Sequence, residues 1–178
     1  MKYVALLRAV NVGGHGKIGM GELRAVVEAS GMTSVRTYIN SGNVVFETHL
    51  RGDQRIAEVL EAAIEKRFGL AIRVLVRDVD EIASVVDAVP PNWANDEATK
   101  CDVYFLWDDV DGPSILERLD FDPEMEDVRY TPGAVLRRVD RKDAARSHMT
   151  KVVGTPLYQR MTIRNCNTAR RLLELMRA

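Results

Sequence analysis

Two short polar segments in the first fifty residues carry the side chains an anion would need. Arg8, Asn11, Gly13, Gly14 and Lys17 form one, and Asn40, Ser41 and Asn43 the other. One guanidinium, one ammonium, several amides, a hydroxyl and glycine-rich backbone make a donor set suited to phosphate or carboxylate. A third segment, Arg164-Asn165-Cys166-Asn167-Thr168, is basic and amide-rich, with Arg170 and Arg171 after it and Lys151 upstream. All three have a plainer reading. Asn and Gly tolerate left-handed turn backbone, and Asn or Thr before an apolar helix is an N-cap.

Other motifs lack a needed part. Gly14 to Gly19 fits G-x-G-x-x-G, but the next strand ends in Asn40-Ser41 and turns straight back, where a dinucleotide fold needs another crossover. Gly16-Lys17 resembles the end of a P-loop, yet Asn11 replaces its first Gly and Ile18 the Ser or Thr that holds magnesium. An EF-hand reading of Asp109 to Gly112 puts Trp107 and Arg118 at ligand positions, which excludes it. His15, His49 and His148 are far apart, so no metal site is expected, and no cofactor is implied. Cys101 in a strand and Cys166 near a helix start read as packed thiols.

The elements that would position these groups follow from periodicity. Tyr3 to Val10 reads as a strand, Met20 to Ser30 as a helix, and Val35–Ile39 and Val44–Thr48 as a hairpin. Asp53 caps a helix through Phe68 that stops at Gly69, and Ala71 to Val76 is a fourth strand. This β-α-β-β-α-β order is the ferredoxin-like pattern. A short helix, Asp80 to Val89, precedes Pro90-Pro91-Asn92. A similar series then runs through strand Cys101–Trp107, helix Pro113–Leu119 and hairpin strands Val128–Thr131 and Ala134–Val139. Helix from Arg141 to about Ser147, capped by Asp140, and more near Met149 to Val153 lead to a brief strand at Thr162-Ile163. A last helix is capped by Asn167 or Thr168, with Ala169, Leu172, Leu173 and Met176 as its apolar face. The expected fold class is α+β, two ferredoxin-like subdomains with antiparallel sheets and helices packed on one face. The expected divisions are 1–89, a linker at 90–98, and 99–178.

In such a sheet the right-handed crossover makes the first two strands parallel. The glycine-rich loop and the Asn-Ser-Gly-Asn turn then end at one edge, beside the first helix's N-terminus.

The 178 residues are 46% hydrophobic and 29% charged, an ordinary globular composition. No apolar run approaches the roughly 18 residues of a membrane span, and the N-terminus lacks a signal-peptide core. With two cysteines, the chain reads as reduced and cytoplasmic, without a disulfide framework. Net charge is −1, but Asn95 to Asp127 holds 12 acids and 2 bases, and Arg129 to Ala178 holds 12 bases and 3 acids. Either the basic third faces nucleic acid or the two thirds neutralise each other.

Leu7 to Gly14, Met20, Leu23-Arg24, Arg36 to Phe46, and Thr162 to Thr168 with the leucine-rich helix after it together resemble the bacterial family catalogued as domain of unknown function 1697. That family usually has Gly at the position of Ala9, Gln at Asn40 and Trp at Cys166. The resemblance implies two ferredoxin-like subdomains and no particular activity.

The first functional expectation is a small anionic ligand held at the Gly-rich edge by Arg8, Asn11, Gly13, Gly14, Lys17, Asn40, Ser41 and Asn43. Alternatives are a nucleic-acid-binding module, an interaction module or homodimer without ligand, and, by analogy of fold and position, an acylphosphatase-like hydrolase. No membrane partner is expected.

Overall fold

The computed structural model describes residues 1–11 and 17–178. Strand β1 is Lys2–Leu7. It stops three residues short of the expected Val10 because the chain bends there, with Ala9 at φ 56° and Asn11 at φ 55°. Helix α1, Met20–Ala29, buries Leu23 and Val27, four residues apart and so on one face. Strands β2 (Thr33–Tyr38) and β3 (Asn43–Glu47) form the hairpin. Helix α2, Asp53–Phe68, buries Ile56, Leu60 and Ile64 and ends at Gly69 in the left-handed region. Gly52, not Asp53, holds its N-cap position, and Asp53 lies in the first turn, where its charge meets the positive helix end. Strand β4 is Val74–Asp78.

Helix α3 is Val79–Ala88, and β5 is Thr99–Leu106. The expected helix at 113–119 is a single 3-10 segment, Pro113–Arg118. Strands β6 (Glu126–Thr131) and β7 (Ala134–Asp140) follow. The helix expected from Arg141 shrinks to a 3-10 turn, Ala144–Arg146. Its residues offer charges but no apolar stripe to bury, and short helices persist mainly through such burial. A second 3-10 turn is His148–Val152. Strand β8, Met161–Asn165, is longer than the two residues expected, and α4 is Cys166–Arg177.

The strands form two four-stranded antiparallel sheets, ordered β2-β3-β1-β4 and β6-β7-β5-β8. Both have the ferredoxin-like arrangement, so the fold is α+β as the sequence implies. The chain divides into two compact units, residues 1–80 with 172–178, and residues 81–171. The first has its core between one sheet face (Tyr3, Ala5, Leu7, Val44, Phe46) and helices α1 and α2. The second has a core of Tyr104, Leu106, Ile115, Val135, Met149 and Met161 among others. The proline-rich segment 90–98 is tied into the second unit. Trp93 is buried, its carbonyl accepts from Arg170, and the Asn95 amide oxygen accepts from Cys101 N–H. Among the described residues no helix is long and apolar enough to cross a membrane.

The two sheets also match in register. Val4 faces Val45 and Arg77 in the first, and Val103 faces Leu136 and Arg164 in the second. Leu7 N–H donates to Gly42 O at 2.8 Å, and Leu106 N–H donates to Gly133 O at 2.9 Å.

Candidate functional site

Strands β1 and β2 both pair antiparallel to β3, so they run parallel and end at the same edge. The two bends that follow them meet there. Asn11 is the connector. Its amide donates to Asn40 O at 2.8 Å and to Ile18 O at 3.0 Å, and its oxygen accepts Ile18 N–H at 2.9 Å. One side chain thus ties the β2–β3 turn to the residues entering α1. Gly42 lets the turn come this close. It has φ +71°, and a Cβ there would lie 2.7 Å from Leu7 Cβ. Ile39, β-branched and exposed, takes φ 49°, which ends β2 at Tyr38.

An open depression of about 440 Å³ lies at this edge, lined by Asn11, Lys17, Ile18, Gly19, Met20 and Asn40. Lys17 is exposed and makes no ion pair among the described residues. Gly19 occupies the N-cap of α1 without a side-chain cap. The helix end is partly neutralised by its own Glu22, whose carboxylate lies close to Gly19 and pairs with Arg67.

The expected residues therefore separate into groups. Asn11, Lys17 and Asn40 come together around the depression. Asn43 is fully buried, and its amide donates to Tyr38 O at 3.0 Å and Ser41 Oγ at 2.9 Å. Asn43 and Ser41 brace the turn. Arg8 is half-buried, and its backbone N–H donates to Arg73 O; neither Arg8 nor Asn43 is among the lining residues. Gly13 and Gly14, with His15, lie outside the described residues. Sequence reading passed over Ile18, Gly19 and Met20 as lining residues; their place at a helix start was the signal available.

The second polar cluster does not converge. Asn165 is the N-cap of α4, its oxygen accepting Thr168 N–H at 2.8 Å, where Asn167 or Thr168 was expected to cap. Asn167 donates instead to Asn95 O at 2.8 Å. Arg164 is buried, donating to Thr162 Oγ1 and Ile163 O, and burial lowers its guanidinium to about 10. Lys151 stands apart, paired with Asp120 at 3.2 Å.

Part of the charge of the basic third is taken up by the acidic third. Arg129 pairs with Asp127, Arg137 with Glu126 and Asp102, Lys151 with Asp120, and Arg160 with Asp109. Tyr3 and Phe46, the aromatics of β1 and β3, are buried and stacked on each other at 6.1 Å. They offer no platform for nucleobases, which need exposed rings.

The corresponding edge of the second unit is built differently. There the loop after β5 supplies Asp111, whose carboxylate accepts Gly133 N–H at 3.0 Å and the Tyr130 hydroxyl at 3.0 Å. That unit brings its own anion to the hairpin turn.

A family model described as "Protein of unknown function (DUF1697)" matches residues 1–136. Among solved structures, the conserved bacterial protein SP0830 from Streptococcus pneumoniae aligns with a TM-score of 0.81 at 23% identity, covering 98% of each chain. That degree of likeness speaks for the fold. No curated protein matches the sequence.

Proposed function

The chain belongs to the DUF1697 family, and for this member we propose binding of a small ligand carrying a phosphate or carboxylate at the edge of the first sheet. The observation that carries the reading is the Asn11 bridge, which joins the two bends and leaves a depression with Lys17 at its rim. Lys17 supplies the charge, and backbone N–H groups at the start of α1 supply directed donors. Asn11 shapes the site rather than contacting the ligand, because its amide is already committed to backbone. The second unit supports the reading by contrast. Its equivalent edge holds an intramolecular carboxylate, Asp111, where the first has an amide and a lysine. Acyl phosphate hydrolysis gains no support, since Arg8 and Asn43 do not line the depression with Lys17.

Calorimetry against nucleotides, sugar phosphates and di- and tricarboxylates tests this. At least one anion should bind, and Lys17→Ala should weaken it about tenfold, the loss of one charge-assisted hydrogen bond. A silent panel, or binding indifferent to Lys17→Ala, removes the assignment.

A further inference from the structure

Cys101 and Cys166, read from the sequence as packed thiols, are brought together by the second sheet. The register of β5 and β8 sets Val103 opposite Arg164 and Asp102 opposite Asn165. Cys101 and Cys166 are the next residue on either side of that last pair, Cys166 opening α4, and their thiols are close enough to hydrogen-bond to each other. Directly opposed residues such as Asp102 and Asn165, one step before the two cysteines, have Cα atoms about 4.5–5.5 Å apart. A disulfide spans about 4.4–6.8 Å. Both thiols are free and fully buried. Cys166 is also enclosed by polar partners. The Cys166 thiol points to Trp93 O at 3.8 Å, and Arg170 Nη1 donates to Cys166 Sγ at 3.7 Å. Arg170 is itself fixed by Trp93 O at 2.8 Å and Pro90 O at 3.3 Å.

We propose that Cys101 and Cys166 are a redox couple that closes to a disulfide between β5 and the first turn of α4 when oxidised by a peroxide. Cys166 is the attacking sulfur. Arg170 places a cation beside it, and it sits at the start of a helix, both of which favour thiolate. The hydrogen bond from Cys101, with help from Arg170, lowers the Cys166 thiol against the opposing effect of burial.

In the first step Cys166 Sγ attacks a peroxide oxygen. An S–O bond forms, the O–O bond breaks, and the departing hydroxide leaves as water with the thiol's proton. Cys101 Sγ then attacks the resulting sulfenic sulfur. The S–S bond forms, the S–O bond breaks, and a second water leaves with the Cys101 proton. The two sulfurs lose two electrons in total and hydrogen peroxide gains them. A dithiol reductant reverses the closure by exchange. Because both sulfurs are buried, oxidant reaches them through local opening.

The wild-type chain decides the matter. It is fully reduced, desalted, treated with hydrogen peroxide, quenched in acid, unfolded and alkylated, and its intact mass is measured. The expected product has lost two hydrogens, takes no alkyl group, and yields one peptide linking residue 101 to residue 166. Its melting temperature should rise by several degrees and fall back with dithiothreitol, because a long loop has been closed. Two alkylated thiols after oxidation, added oxygen without a link, or a crosslinked dimer would overturn the proposal. Cys101→Ala and Cys166→Ala should each abolish the two-hydrogen loss, and its survival in either variant would also overturn it.

Discussion

The same backbone position carries opposite chemistry in the two sheets. In the first, β1 and β3 set Tyr3 opposite Phe46, and the two rings stack within the apolar core. In the second, β5 and β7 set Asp102 opposite Arg137, joined at 3.2 Å. Arg137 is almost wholly buried and also donates to Glu126 Oε2 at 2.8 Å. Glu126 in turn accepts Ser147 Oγ at 2.8 Å and His148 N–H at 3.1 Å. The ring pair therefore holds sheet to helices by burial. The ionic cluster ties the sheet to the connection of 3-10 turns through Ser147 and His148, next to the buried Met149 and Val152 of that connection. One fold tolerates both because the register fixes where side chains meet and leaves open what they are. Polar residues in the second core brace the fold there, while in the first unit Asn11, Lys17 and Asn40 rim an open depression.

Removing Arg137 should break the comparison most severely. Arg137→Ala leaves Asp102 and Glu126 buried without their cation, a loss of about 3–5 kcal/mol. Phe46→Ala at the matching position should cost about 3–5 kcal/mol as well, from lost burial and a cavity. Urea unfolding midpoints read both. A loss below about 1 kcal/mol for Arg137→Ala would mean that water already satisfies the two acids.

The two hairpin glycines sharpen the comparison at smaller magnitude. Gly42 and Gly133 both accept from the last residue of their sheet's first strand, and both have positive φ, +71° and +86°. A Cβ at Gly133 meets only Val85 Cγ2 at 3.7 Å, an ordinary contact, whereas at Gly42 it meets Leu7 Cβ at 2.7 Å. Gly133→Ala should cost about 1 kcal/mol from left-handed backbone alone. Gly42→Ala adds overpacking and should cost about 2–4 kcal/mol. It should also weaken any anion bound near Lys17, because the turn that carries Asn40 must withdraw from β1. Equal costs at the two glycines would show that the Gly42 turn shifts freely.

Much of this was legible in the sequence, and the misses have physical causes. Helix α2 was readable because Ile56, Leu60 and Ile64 recur on one face and Gly69 stops it. The meeting of the two bends followed from topology, since a right-handed crossover leaves few alternatives. The roles of individual amides did not follow. Asn11, Asn43, Asn165 and Asn167 are the same residue type in similar turn-rich contexts, yet each has a different backbone partner. Those partners are set by tertiary approach, which local spacing does not encode. The charge asymmetry was legible as a sum, but the Arg137 cluster was not, because Asp102 and Glu126 look like surface acids until the register places them beside it. Cys101 and Cys166 were likewise unconnected until β8 was extended to Asn165.

The smallest effect is a slope. Burial raises the Asp102 carboxyl above its ordinary value, with Lys100 and Arg137 opposing. The folded chain therefore holds that proton more tightly than the unfolded chain does. The associated stability is fully present below the unfolded value near 4 and is lost as pH rises through the raised folded value. The first unit has the Tyr3–Phe46 ring pair at this position and no acid to titrate. Asp102→Asn should then remove one pH-dependent component without touching the rest. The unfolding free energy of the wild type minus that of Asp102→Asn should fall between pH 4 and pH 7, measured by urea midpoints at constant ionic strength. A difference that grows over that interval would mean that Arg137 and Lys100 outweigh desolvation at Asp102. The ionic pair would then favour the folded state increasingly as the carboxylate forms, and the polar core would be a source of stability at neutral pH.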